Sequence, residues 1–337
     1  MKKIIIITII LIGNLLLAQS VSKVGTSSAK FLSVPVDAWG TGRGQAAVTG
    51  FNDASTLFWN PSTISNLDRI AAHFSYTKWF EDISFNYMAV VFPYGNIGTF
   101  GVNATFFQTE PMEVTTERYQ EGTGEHFTVG SYAIGLAFAR KLTVDFSMGA
   151  NIKYIVENIY HSSATGIALD IGGCYSTPWK GIRLGFSINN FGTKMQMTGE
   201  DLLATVDPDP MNSGNNDMIN AYYTTDKFEI PLNMTIGVAW DIINSERNQV
   251  TFEIDGLYPS DNYSRINTGL EIALLNKMLY LRSGVANLFV DSITPNISIG
   301  GGIRYSILGN MILCVDYAYQ THEYFNKNEH FSISIMF

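Results

Sequence analysis

Hydrophobic and polar positions alternate along most of the chain. In 143–156, TVDFSMGANIKYIV, one side carries Val144, Phe146, Met148, Ala150, Ile152, Tyr154 and Val156. The other carries Thr143, Asp145, Ser147, Gly149, Asn151 and Lys153. Successive strand side chains point to opposite faces, so this reads as a strand with one apolar and one polar face. Its fourteen residues exceed the roughly 5–6 of an ordinary strand and suit a tilted strand crossing a bilayer, which needs about 9–11.

The pattern recurs. Ile70, Ala72, Phe74 and Tyr76 form one apolar side, and Ile83, Phe85, Tyr87, Ala89 and Val91 the next. Ile167, Leu169, Ile171 and Tyr175 lie opposite Asp170, and Ile182, Leu184, Phe186 and Ile188 lie opposite Arg183, Ser187 and Asn189. Leu232, Met234, Ile236, Val238 and Trp240 face away from Asn233, Thr235 and Asp241, and Phe331, Ile333, Ile335 and Phe337 face away from His330, Ser332 and Ser334. Fourteen strands are expected, near 69–79, 82–92, 97–108, 127–139, 143–156, 163–176, 182–190, 230–242, 249–258, 264–275, 278–286, 296–307, 311–320 and 329–337.

An even strand count suits a closed barrel of the bacterial outer-membrane kind. Every other gap is short (PYGN, RKL, TPWKG, INSERN, NK, LGN), whereas 109–126 and 191–229 are long. Short turns at one rim and longer loops at the other are the pattern of such barrels. Trp79, Tyr94, Tyr154, Tyr175, Trp179, Trp240 and Tyr258 fall near strand ends, where interfacial aromatic girdles belong. A soluble, exported β-sandwich or propeller would alternate too. Strand length, gap parity and the low charge content favour the barrel. The two-residue turn Asn276-Lys277 sets Glu271 opposite Arg282 on the polar face, an expected ion pair lining the lumen.

The opening MKKIIIITIILIGNLLLAQS puts two lysines before an apolar run, the pattern of a secretory signal peptide over 1–19 with cleavage near Ala18. No later run is long and apolar enough for a membrane-spanning helix. The expected organisation is a signal peptide, 1–19, an N-terminal plug or hatch, 20–68, and the barrel, 69–337. The fold class is all-β: a fourteen-stranded antiparallel transmembrane β-barrel with a lumenal N-terminal segment.

Charged residues are 15% of the chain and the formal net charge is −9, with no basic patch; nucleic acid is not an expected partner. Cys174 and Cys314 lie far apart in strand-like segments and read as free thiols. His73, His126, His161, His322 and His330 show no metal-ligand spacing, and no cofactor or metal is expected. His330 and Ser332 share a polar face, but no third group marks a hydrolase, and no enzymatic activity is expected. The loops 109–126 and 191–229 are acidic and read as solvated.

The stretch WGTGRGQAAVTGFNDASTLFWNPS, 39–62, is the exception to alternation. It lacks the lysine of a phosphate-binding loop and the register and βαβ context of a dinucleotide fingerprint. It is expected to fill the lumen. Gly40, Gly42 and Gly44 would permit tight turns. Asp53 or Asn52 would cap a short helix through Leu57–Trp59, and Pro61 would end it or begin the next.

NDASTLFWNPSTI resembles the hatch motif D-x-S-x-x-x-x-N-P-A of FadL-like barrels. With VTTERYQEGTGEHF, LTVDFSMGANIKYI, NNFGTKM, VDYAY and the final HFSISIMF, the chain is similar to the PorV/PorQ family of Bacteroidota and related phyla. The resemblance implies a fourteen-stranded outer-membrane barrel whose hatch is shaped by Asp53, Asn60, Pro61 and Ser62, with Phe337 as the terminal insertion signal. It departs from the family at Ser62, where alanine is usual, and in the displaced glycines of WGTGRGQAAVTG. The leading function it implies is assistance to type IX secretion, through secretion components or the C-terminal domains of cargo, at the outer-membrane lipid. The alternatives are a FadL-like channel or binding protein for small hydrophobic compounds, and a structural surface protein. A transporter needs an apolar pocket beside the hatch. Leu202, Leu203, Met218 and Tyr222 in the 191–229 loop lean instead towards a cargo surface.

Overall fold

The computed structural model describes residues 24–337 except 51–52, 81–82, 210, 212–217, 291–293, 308–310 and 323–325. The expected signal peptide and Asn52 lie outside the described residues. Fourteen long strands form a closed antiparallel barrel. They are β1 (Ala71–Lys78), β2 (Ser84–Tyr94), β3 (Gly98–Gln108), β4 (Val129–Lys141), β5 (Phe146–Ile159), β6 (Ser162–Ser176) and β7 (Ile182–Gly192). The second half comprises β8 (Asn233–Asn244), β9 (Gln249–Pro259), β10 (Arg265–Leu274), β11 (Leu279–Leu288), β12 (Asn296–Ser306), β13 (Ile312–His322) and β14 (Asn326–Met336). Each pairs with its neighbour in sequence, and β14 closes on β1 from Ala71↔Met336 to Lys78↔Glu329. Closure satisfies every strand edge, which a sheet in lipid requires.

One rim carries short turns and the other the longer connections 109–128 and 193–232. On most strands the outward side chains are the expected apolar ones: Phe74 on β1, Ile152 and Tyr154 on β5, Ile236 and Val238 on β8 and Phe331 and Ile333 on β14 are exposed. The inward ones are small or polar, among them Ser75, Asn151, Thr235 and Ser332, all buried.

Strand β2 departs from this. Phe85, Tyr87, Ala89 and Val91 point inward and are buried, while Met88 and Phe92 face out. Both faces of β2 are apolar, because its inner face packs on the apolar side of the interior segment: the ring of Phe58 meets that of Tyr87 edge-on at 6.1 Å. Hydrophobicity alone left the phase of this strand undetermined.

The interior segment runs the length of the lumen. At the long-loop rim, Ser28 N–H donates to Glu229 O at 2.9 Å, and Lys30 pairs with Asp261 at 2.7 Å. A short helix, Ala38–Gly42, then packs on β12 to β14, and the 3-10 helix Pro61–Asn66 packs on the opposite wall, β3 to β6. Contact with both walls places the segment inside the barrel.

The three close glycines do not act as a set of turns. Gly40 and Gly42 are helical; a Cβ at Gly40 would strike the Trp59 ring at 2.5 Å, and one at Gly42 would lie 3.2 Å from Gly300 Cα. They are small so that helix, ring and wall can approach. Only Gly44 has a positive φ, +63°, and its Cβ position lies 2.5 Å from Val285 N.

Candidate functional site

The interior segment is held by inward-facing charges. Asp37 caps the Ala38–Gly42 helix, accepting from Gly40 N at 3.3 Å, and also accepts from Trp59 Nε1 and Ser55 Oγ, both at 2.9 Å. Burial pushes the Asp37 carboxyl above its ordinary value, with His73 pulling the other way. Arg43 Nη2 donates to Glu253 Oε2 at 2.5 Å and its guanidinium lies 4.6 Å from the Trp39 ring centre. Glu253 Oε1 also accepts from Thr49 N at 2.8 Å and Thr49 Oγ1 at 2.7 Å. One carboxylate oxygen of Asp255 accepts the N–H groups of Ala47 and Val48 at 2.8 and 3.0 Å. The backbone at 47–49 is thus held by two acids on β9.

Glu271 and Arg282 are directly paired across β10 and β11. Arg282 Nε donates to Glu271 Oε2 at 2.6 Å, Nη1 reaches Asp316 Oδ1 at 2.5 Å, and Trp39 Nε1 donates to Glu271 Oε2 at 3.0 Å. The pair is therefore one part of a buried network that reaches the interior segment.

Asp53 does not serve as a simple helix cap: the residue before the helix Thr56–Trp59 is Ser55, whose side chain makes no cap bond. Asp53 Oδ1 accepts from Ser55 N at 2.7 Å, and Oδ2 accepts from Ser334 Oγ at 2.5 Å, 3.5 Å from His73 Nδ1. Burial raises the Asp53 carboxyl, but His73 beside it and the hydrogen bonds of Ser334 and Ser55 together outweigh burial and hold it below the carboxylate range. Asn60 is fully used. Its Nδ2 donates to Val48 O at 2.7 Å and Gly173 O at 3.1 Å, and its Oδ1 accepts Ser62 N at 3.0 Å and Ser62 Oγ at 2.7 Å. Pro61 opens the 3-10 helix at its first position, where a missing N–H costs nothing.

His330 and Ser332 are buried, but each bonds elsewhere: His330 Nδ1 meets Thr77 Oγ1 at 2.8 Å, and Ser332 Oγ accepts Ala38 N at 2.9 Å. Cys174 and Cys314 are free and buried. Among the described residues no group of His, Cys, Asp and Glu is arranged to hold a metal. Asp201 accepts from His161 N at 2.8 Å and Ser162 Oγ at 2.9 Å, which ties the acidic 193–232 connection to the wall.

Above the interior segment, at the long-loop rim, lies a cavity of about 590 Å³. Its apolar lining includes Phe31, Leu32, Phe58, Trp59, Trp79 and Phe107, and its polar lining is spread over the interior segment, β5 and β7 to β13. Trp79 therefore serves the cavity rather than an interfacial girdle. The volume falls in the roughly 300–1,000 Å³ range of small-molecule sites. The acids Glu253 and Asp255, and the cavity, were missed in the sequence. Acids alternating with Phe252 and Ile254 on β9 were the available signal.

No family model and no curated protein matches the chain. Solved structures do. A structure titled CymD monoaromatic hydrocarbon channel superimposes with a TM-score of 0.57 at 14% identity, covering 90% of this chain and 97% of that one. The fold is that of the FadL-type channels. A Pseudomonas aeruginosa FadL homologue gives 0.53 at 13% identity, with 90% and 98% covered. The Pseudomonas putida toluene transporter TodX gives 0.53 at 13%, with 88% and 95% covered. At such identities the shared property is the fold. The narrower resemblance to PorV/PorQ, and the link to type IX secretion, gain no support from these comparisons.

Proposed function

We propose that this chain is an outer-membrane barrel that binds or passes small hydrophobic compounds, with residues 24–66 as its hatch. This reverses the order of the two leading expectations from sequence. The observation that carries it is the aromatic-lined cavity of about 590 Å³ resting directly on the interior segment. The outward apolar band of exposed Phe74, Ile152, Ile236, Val238 and Phe331 supports a lipid-embedded wall. That the fold is shared with channels titled for monoaromatic hydrocarbons and toluene supports the compound class. No chemistry is assigned to the site: its buried acids are occupied in holding the segment.

Uptake of a labelled monoaromatic compound by cells expressing the chain tests the reading. Faster uptake than in cells with an empty vector is expected, and loss of the difference when Phe107→Arg places a charge in the cavity. Equal uptake in all three would overturn it. The second reading, engagement of secretion components or cargo, draws on the exposed Leu203, Met218 and Tyr222 of the 193–232 connection. Affinity capture from native membranes that recovered secretion components would restore it.

A further inference from the structure

The connection 193–232 forms an arm on the long-loop rim. Its two limbs are joined at the base. Met195 N and Phe228 N each donate to the other's carbonyl at 2.9 Å. Gln196 Nε2 donates to Thr225 O, and Thr225 Oγ1 to Met197 O, both at 2.7 Å. Thr198 and Gly199 pair with Ser163 and Ser162 at the start of β6, so the arm rises from the rim. Beyond that root it makes a hairpin of its own, Leu203–Val206 against Ile219–Tyr222.

Among the described residues this ladder stays two-stranded and joins no other sheet. The register sets Leu203 beside Tyr222 and Val206 beside Ile219. Side chains alternate along a strand, so the two apolar pairs lie on opposite faces. All four residues are exposed, and so is Tyr223 next in the chain. The hairpin therefore buries neither face. A lone two-stranded hairpin is marginal in water, and a third strand is what gives such a sheet stability. An unpaired edge is also the usual template for adding one.

Charge decides which strand can come. Between Lys194 and Lys227 the sequence holds six acids and no lysine or arginine. The connections 109–128 and 193–232 together carry twelve acids against Arg118, Lys194 and Lys227, an excess as large as the −9 of the whole chain. A second copy of this surface, or the phosphates of a lipid surface, would meet like charge. A basic polypeptide would be attracted.

We propose that the hairpin docks an extended basic segment of another protein as a third strand, with backbone bonds along its free edge, apolar side chains against Leu203 and Tyr222, and lysines or arginines towards the acidic connections. The proposal stands apart from the cavity, so docking at the hairpin and uptake through the lumen can each fail alone.

The test is fluorescence anisotropy of the full-length barrel in phosphatidylcholine nanodiscs, with a labelled octapeptide of alternating lysine and valine and empty nanodiscs as background. Saturable binding is expected, at least tenfold tighter than that of the glutamate–valine peptide. Methylating the backbone nitrogens along one edge of the lysine peptide should abolish it, because strand addition needs those N–H groups. Tyr222→Lys should weaken binding at least tenfold while the variant keeps the compact electrophoretic form of a folded barrel. Equal binding of the two peptides, binding of neither, retention of the methylated peptide or an unchanged affinity in Tyr222→Lys would each overturn the proposal.

Discussion

Arg43 of the interior segment and Glu253 of β9 are 210 residues apart, meet at 2.5 Å, and expose only 2% and 0% of their side chains. Breaking such a buried pair by removing one partner leaves an uncompensated charge and costs about 3–5 kcal/mol. Glu253→Leu is therefore expected to loosen the segment while the barrel wall, built on its own ladder, persists. Limited proteolysis of the solubilised protein should cut within 35–66 in the variant and spare the wild type.

Close approach makes glycine indispensable at chosen wall positions. A Cβ at Gly172 would lie 2.0 Å from Asn60 Oδ1, whereas one at Gly301 finds nothing nearer than 3.6 Å. Gly172→Ala is expected to cost about 1–3 kcal/mol through overpacking, and Gly301→Ala much less. Thermal loss of the compact electrophoretic form should separate the two variants; identical midpoints would refute the role given to Gly172.

Val238 on β8 is exposed on the outer face. Val238→Arg is expected to cost about 2–4 kcal/mol if the position lies near the bilayer midplane. An unchanged unfolding midpoint in lipid vesicles would contradict the assigned facing.

Phe337 donates its N–H to Ile70 O at 2.9 Å, and its side chain is 56% exposed. Because the N–H belongs to the bond that ends the closing ladder, deleting Phe337 should reduce the amount of assembled barrel in membranes. Quantitative immunoblotting of membrane fractions checks this.

The Asp53 carboxyl is held below its ordinary value of 3.8. The stabilisation it supplies to the segment is therefore fully present above the unfolded value and is lost as pH falls through the lower folded one. Asp53→Asn should be less protected from protease than the wild type at neutral pH, and the gap should close as pH is lowered below 3.8. A gap that widened on acidification would argue against an ionised Asp53.

Much of the wall was legible in the sequence, for a definite reason. On β5 and β8 the two faces meet different surroundings, so Ile152 and Asn151, or Val238 and Thr235, declare their sides by polarity. The short turn at 275–278 likewise fixes Glu271 against Arg282, because register propagates from a tight turn. On β2 the rule failed: the lumen beside Phe85 and Tyr87 is as apolar as the outer face, so alternation carries no phase.

The sequence by itself determined the strands, their order and most of their facing, all consequences of local period and short connections. Only the tertiary structure decided what meets across the lumen. Closing β14 on β1 brings Ser334 to Asp53, Glu253 to Arg43 and Asn60 to Gly173. Those contacts join residues far apart in the chain. Their geometry follows from barrel circumference and from the path of the interior segment, neither of which any local pattern records.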